Sequence, residues 1–116
     1  MESPPSLIAP IDAFEMLDLR VGRITAAYPH PKARKPSYIL TIDLGELGQK
    51  VSCAQLTEHY SPDDLIDRHV IAAVNLGTRR IGGIGSEVLI LGVPDELNRV
   101  VLLSPERSVP LGGRVF

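Results

Sequence analysis

An unbroken apolar run, Val88-Leu89-Ile90-Leu91, constrains this chain more than any other stretch. A half-buried strand alternates apolar and polar residues, because successive side chains point to opposite faces. A run without alternation needs cover on both faces. The strand is therefore expected to have the domain core on one side and another protein surface on the other. Just before it, Arg79-Arg80-Ile81-Gly82-Gly83-Ile84-Gly85 reads as a loop with two adjacent cations and three glycines. That loop brings charge and backbone freedom to the rim of whatever the strand closes.

Around this feature the chain divides into short elements. Residues 1–10 contain three prolines and read as a flexible segment, with residues 11–116 as one domain. Asp12 is placed to cap a helix from Ala13 to Leu17, with Glu15 as the return half of a capping box. Ile11, Phe14 and Leu17 fall at helical spacing and are expected to pack on the body of the domain. Leu19 to Tyr28 reads as a first strand whose period slips near Gly22, which predicts a bulge there. A Pro-rich and cationic loop, 29–36, leads to alternating Tyr38–Leu44. Gly45-Glu46-Leu47-Gly48 turns the chain into Gln49–Leu56. Ser61-Pro62-Asp63-Asp64 is a helix start, with a capping serine, proline at the first helical position and acids near the positive dipole end. That helix is expected to end near Asp67 or Arg68. Val70–Val74, Val88–Leu91 and Val100–Leu103 complete the strands, and Pro105 and Pro110 limit regular structure beyond them. Three strands, a short helix and two more strands match the OB barrel, a five-stranded Greek-key design. An N-terminal helix and a C-terminal strand extension are added to it, so the fold class is all-β with short helices.

The last three strands are apolar on both faces, whereas a small barrel needs apolar side chains only inside. A contiguous exposed apolar patch beyond several hundred Å² is rare on a soluble monomer. A two-fold homodimer with the last strands near its interface is therefore expected.

Charge is segregated along the chain. No acid lies between Asp18 and Asp43, a span that holds Arg20, Arg23, Lys32, Arg34 and Lys35. None lies between Asp67 and Glu87, where Arg68, Arg79 and Arg80 stand. In an OB barrel these spans include two loops that flank the ligand face. Lys32, Arg34, Lys35, Arg79 and Arg80 would then form a positive rim suited to phosphates. The net charge of -2 means that such binding must be local. Five aromatics and no tryptophan leave few stacking platforms, with Tyr28 and Tyr38 beside the first basic loop. Shape and phosphate recognition is thus favoured over base readout.

Enzyme chemistry finds no support, and no cofactor or metal is expected. His30, His59 and His69 lack metal-ligand spacing. Ser52 and Ser86 have no visible base-and-orienter pair. Gly82-Gly83-Ile84-Gly85 opens a strand rather than a helix, so it fails the context of a phosphate loop. The single cysteine, Cys53, forms no intrachain disulfide and fits a reducing compartment. Residues 1–6 have no basic region followed by an apolar core, so no secretory signal is expected.

Five segments carry a family resemblance: Phe14-Glu15-Met16-Leu17-Asp18-Leu19-Arg20-Val21-Gly22, Lys32-Ala33-Arg34-Lys35-Pro36-Ser37-Tyr38, Ser52-Cys53-Ala54-Gln55-Leu56, Ala73-Val74-Asn75-Leu76-Gly77 and Ser86-Glu87-Val88-Leu89-Ile90-Leu91-Gly92. With them the chain resembles the export-related chaperone CsaA family, within the wider group of tRNA-binding domains found in methionyl-tRNA synthetase. Cys53, where serine is expected, and the Pro-rich start depart from that pattern. The resemblance implies a cytoplasmic OB-fold homodimer that binds unfolded polypeptides and serves protein export. It places Arg34, Lys35, Arg79, Arg80 and Ser86 around the ligand face. A peptide groove lined by Tyr38, Ala54, Leu56, Leu76 and Ile84 is the first expectation. A tRNA site on the basic loops is the second.

Overall fold

A proline begins the first regular element. In the computed structural model, which describes residues 7–116, helix α1 spans Pro10–Met16 with Ala9 as its N-cap and no side-chain cap. It starts earlier than the Asp12 capping box predicts, because proline at the first helical position has a preset φ and no N–H to satisfy. Residues 1–6 of the expected flexible segment lie outside the described residues, and Pro10 belongs to the helix. The expected packing of α1 on the barrel is not found. No α1 residue is buried, and Ile11 and the neighbouring Leu17 are 62% and 40% exposed.

Strand β1 (Leu19–Pro29) is the spine of the sheet. Its first half pairs with β4 and its second half with β2, so it serves two neighbours in turn. The register slips between Ile24 and Ala26, not at Gly22 as the periodicity predicted. Gly22 is small for a different reason: a Cβ there would lie 2.5 Å from Ile42 Cγ2 and 2.9 Å from Leu44 Cδ2. Strand β2 (Tyr38–Asp43) runs through a 3-10 turn, Gly45–Leu47, into β3 (Gln49–Ala54). Helix α2 is one turn, Pro62–Leu65, shorter than expected but capped as its sequence indicates. Asp64 N–H donates to Ser61 Oγ, and Ser61 N–H donates to the Asp64 carboxylate. The Ser61 N–H, helped by the Ser61 hydroxyl, holds the Asp64 carboxyl below its ordinary range. Leu65 is fully buried in the core cluster.

Strand β4 (His69–Ala73) leads to a hairpin that the sequence reading took for a loop: β5 (Arg79–Ile81) and β6 (Ile84–Ser86). Its two-residue turn is Gly82-Gly83, with φ of 57° and 83°. Positive φ at both central residues is the type I′ geometry that glycine supplies without strain. The expected loop with backbone freedom is thus a built hairpin. The run Val88–Leu91 also differs from expectation. Only Leu89–Ile90 form a strand, β7, paired to β4. Val88 points into the core at 4% exposure, while Leu89 is 52% exposed. The chain then forms a separate hairpin from β8 (Gly92–Pro94) and β9 (Val100–Leu102).

The main sheet has the order β3-β2-β1-β4-β7. It curls into a nearly closed five-stranded barrel around Ile24, Leu40, Ile42, Leu44, Leu65 and Val70, as the OB expectation required. The seam beside β3 is joined partly by side chains. Val51 N–H donates to Glu87 Oε1 at 3.0 Å, and Cys53 N–H donates to Ser86 Oγ at 3.0 Å. Glu87 N–H returns a bond to Val51 O at 2.7 Å. The C-terminal residues come back to β1, where Gly112 N–H and Val115 N–H donate to Val21 O and Leu19 O.

Candidate ligand-binding cleft

Two basic segments face each other across one edge of the barrel. The first is the loop 30–37, closed at its base by His30 N–H donating to Ser37 O at 2.9 Å. The second is the β5–β6 hairpin. Between them lies an open cleft of about 840 Å³ walled by Arg34, Lys35, Arg79, Arg80, Ser37 and Gln55, with Ile81 and Gly82. Four of the five predicted cations therefore meet. Lys32 is not in the cleft wall; its backbone N–H donates to His30 Nδ1.

The wall contains no carboxylate among the described residues. The other cations of the acid-free spans are spent elsewhere. Arg20 is paired with Asp18, and Arg23 bridges Asp67 at 2.7 Å and Asp43 at 3.7 Å. Arg68 stacks over the Tyr60 ring at 5.1 Å. Arg34, Lys35 and Arg79 have no ion-pair partner among the described residues. Arg80 donates to Gly83 O at 2.8 Å across its own turn, which fixes that guanidinium to the hairpin.

A smaller apolar groove of about 130 Å³ continues from the cleft. Arg79 and Ile81 belong to both, and Cys53, Leu76, Gly77, Ser86, Val88 and Leu89 complete the groove. Leu76 and Ser86 thus stand where a groove was expected. Tyr38 and Leu56 do not. Both are buried in the core, at 7% and 3% exposure, and Tyr38 donates its hydroxyl to Tyr60 O at 2.7 Å. The alternation of Tyr38 with Leu40 and Ile42 was a core signal, since every second side chain on β2 faces inward. Ala54 packs half-buried against the same core, and Ile84 faces Ile81 across the hairpin instead of lining the groove. Tyr38 is therefore no stacking platform. Tyr28 is 51% exposed on β1 and does not line the cleft. Burial pushes the Cys53 thiol up from its ordinary value, which keeps it protonated and poorly nucleophilic.

Sequence reasoning missed His30, Ser37, Gln55 and Ile81. His30 sits between two prolines in the basic loop, and that confinement was the available signal. Among the described residues, no group of three or more His, Cys, Asp or Glu side chains is arranged to hold a metal ion. No helix among them is long and apolar enough to cross a membrane.

Comparison with known proteins places the fold in a family. The tRNA binding domain family matches residues 19–114, which include both walls of the cleft. Among curated proteins, the methionine–tRNA ligase of Pyrococcus abyssi is 39% identical over 104 residues. The corresponding ligase of Thermococcus onnurineus is 43% identical over 103 residues. These matches cover 90% and 88% of this chain but 14% of each ligase, so the chain spans a small part of their length. Among solved structures, the chaperone CsaA of Bacillus anthracis superposes with a TM-score of 0.85 at 42% identity, covering 94% of this chain and 99% of that one. The CsaA chaperone protein of Picrophilus torridus gives 0.86 at 36% identity, covering 94% and 100%. The chain belongs to the tRNA binding domain family and, within it, to the CsaA group.

Proposed function

We propose that the chain is a non-enzymatic binding domain that holds unfolded polypeptide segments as a chaperone, with a role in protein export from the cytoplasm. The continuity of a cationic cleft with an apolar groove carries this reading. An extended polypeptide with acidic and aliphatic residues finds partners in both, whereas a bare phosphate chain uses the cleft alone. No aromatic side chain lines the cleft among the described residues, which removes the usual platform for bases. Two relatives of nearly the same length are named chaperones.

A second reading, structure-specific tRNA binding, is favoured by one observation: four cations wall the cleft and no carboxylate among the described residues opposes them. Competition separates the two. A labelled unfolded polypeptide is bound to the protein and challenged with tRNA at several salt concentrations. The chaperone reading expects saturable polypeptide binding at micromolar protein that survives moderate salt. The tRNA reading expects displacement by tRNA, but not by random duplex, with a steep salt response.

We also propose that two copies associate. Phe14 on α1 and Leu17 just after it, together with Leu89, Val101, Leu103 and Phe116, remain substantially exposed. This spread of apolar surface over α1 and the last strands suits a two-fold contact.

A further inference from the structure

Two basic walls make one cleft only if the distance between them is set. A single imidazole joins them. His30 Nδ1 accepts the backbone N–H of Lys32 at 3.0 Å, and His30 Nε2 lies 2.7 Å from Ile81 O. A backbone N–H can only donate and a carbonyl can only accept. The neutral ring with its hydrogen on Nε2 therefore satisfies both bonds at once. The ring also presses on the hairpin turn: a Cβ at Gly82 would lie 2.6 Å from His30 Cε1 and 2.9 Å from Lys32 O. Gly82 is thus required twice, for its φ of 57° and for the approach of the ring. The remaining charged groups near this contact are Lys32, Arg34 and Lys35 on the loop and Arg79 and Arg80 on β5. All are cations, and their mutual repulsion pushes the walls apart.

We propose that His30 is the positioning residue of the cleft: it clips the 30–37 loop to the β5–β6 hairpin against the repulsion of the cations that line them. The proposal rests on reading the cleft as the binding site. Its structural half can be tested without a ligand.

Three variants divide the ring's two bonds. His30→Gln keeps a donor near the Nε2 position, within reach of Ile81 O. His30→Asn keeps an acceptor near the Nδ1 position for Lys32 N–H but does not reach the hairpin. His30→Ala keeps neither. Amide exchange at residues 80–84 is measured in the free protein, with β1 and β4 as internal standards. Polypeptide and tRNA affinities are measured in parallel. The expected result is faster exchange in the hairpin for His30→Ala and His30→Asn, with β1 and β4 unchanged. Affinity should fall by about 3- to 10-fold in the same two variants, the range expected from one lost hydrogen bond. His30→Gln should recover both readouts to within about twofold. Equal behaviour of His30→Asn and His30→Gln, or unchanged hairpin exchange in His30→Ala, overturns the proposal. If the wild-type protein binds neither polypeptide nor tRNA, the functional reading fails while the exchange result still decides the clip.

Discussion

Replacing Ser86 by alanine tests the idea that side chains close the barrel seam. Cys53 N–H, on half-buried β3, donates to Ser86 Oγ at 3.0 Å, and Ser86 itself is 8% exposed. Alanine removes the acceptor and leaves a strand N–H facing a seam that excludes most water. An orphaned donor of this kind costs about 1–3 kcal/mol. The second bond, Ser86 Oγ to Val88 O at 3.4 Å, is long and adds little. A loss of ~1.5–2 kcal/mol is therefore expected, which lowers Tm by roughly 6–8 °C for a domain of this size. Glu87 supplies the matching control. Glu87→Gln keeps an oxygen for Val51 N–H and should cost less than ~0.5 kcal/mol, while Glu87→Ala should cost about 1–2 kcal/mol. Because the two bonds lie on one seam, the double variant Ser86→Ala/Glu87→Ala should depart from the sum of the singles. Thermal and urea unfolding followed by circular dichroism give these values, and amide exchange at Cys53 locates the effect. A Ser86→Ala protein that melts within about 1 °C of wild type, with Cys53 still protected, would refute the reasoning.

Three further outcomes are expected. Gly22→Ala should destabilise by about 1–3 kcal/mol in urea unfolding, because its methyl meets the buried Ile42 and Leu44 side chains. The Asp95 carboxyl is held well below the usual carboxylate range, chiefly by the Arg99 N–H and further by His59, the Arg99 side chain and the Leu97 N–H, which outweigh an opposing effect of desolvation. Its contribution to stability is present above the unfolded carboxylate pKa and is lost as pH falls toward the lower folded value; Asp95→Asn should therefore flatten the acid side of the stability profile below about pH 4. If tRNA binds, each of Arg79→Ala and Lys35→Ala should reduce the log–log salt slope by about one, as filter binding or anisotropy across a salt series would show.

The barrel was legible because the alternation of β2, the Ser61 cap and the order of elements are local signals that agree with one another. The four cations of the cleft were legible from the absence of acids in two spans. The groove was not. Tyr38 and Leu56 read equally well as lining or as core, and the inward direction of β2 and its neighbours decides for core. The β5–β6 hairpin escaped notice because three-residue strands have too few positions for a period, although Gly82-Gly83 is a turn signal of its own. The Val88–Leu91 run implied two covered faces, yet Leu89 is half exposed in the single chain. That mismatch matches the exposed Phe14 and Leu17 and motivates the proposed second copy. His30 was set aside for want of metal-ligand spacing, and a role in holding backbone groups leaves no spacing pattern.

Polypeptide binding requires the cleft and its apolar extension to act together. Fluorescence anisotropy of a labelled, unfolded polypeptide bearing acidic and aliphatic residues tests this directly, using wild type, the double variant Arg34→Ala/Arg79→Ala and Leu76→Asp. Micromolar binding by wild type that weakens at least tenfold in both variants, with unchanged melting, is the predicted result. Affinity that is unaltered in both variants would contradict it.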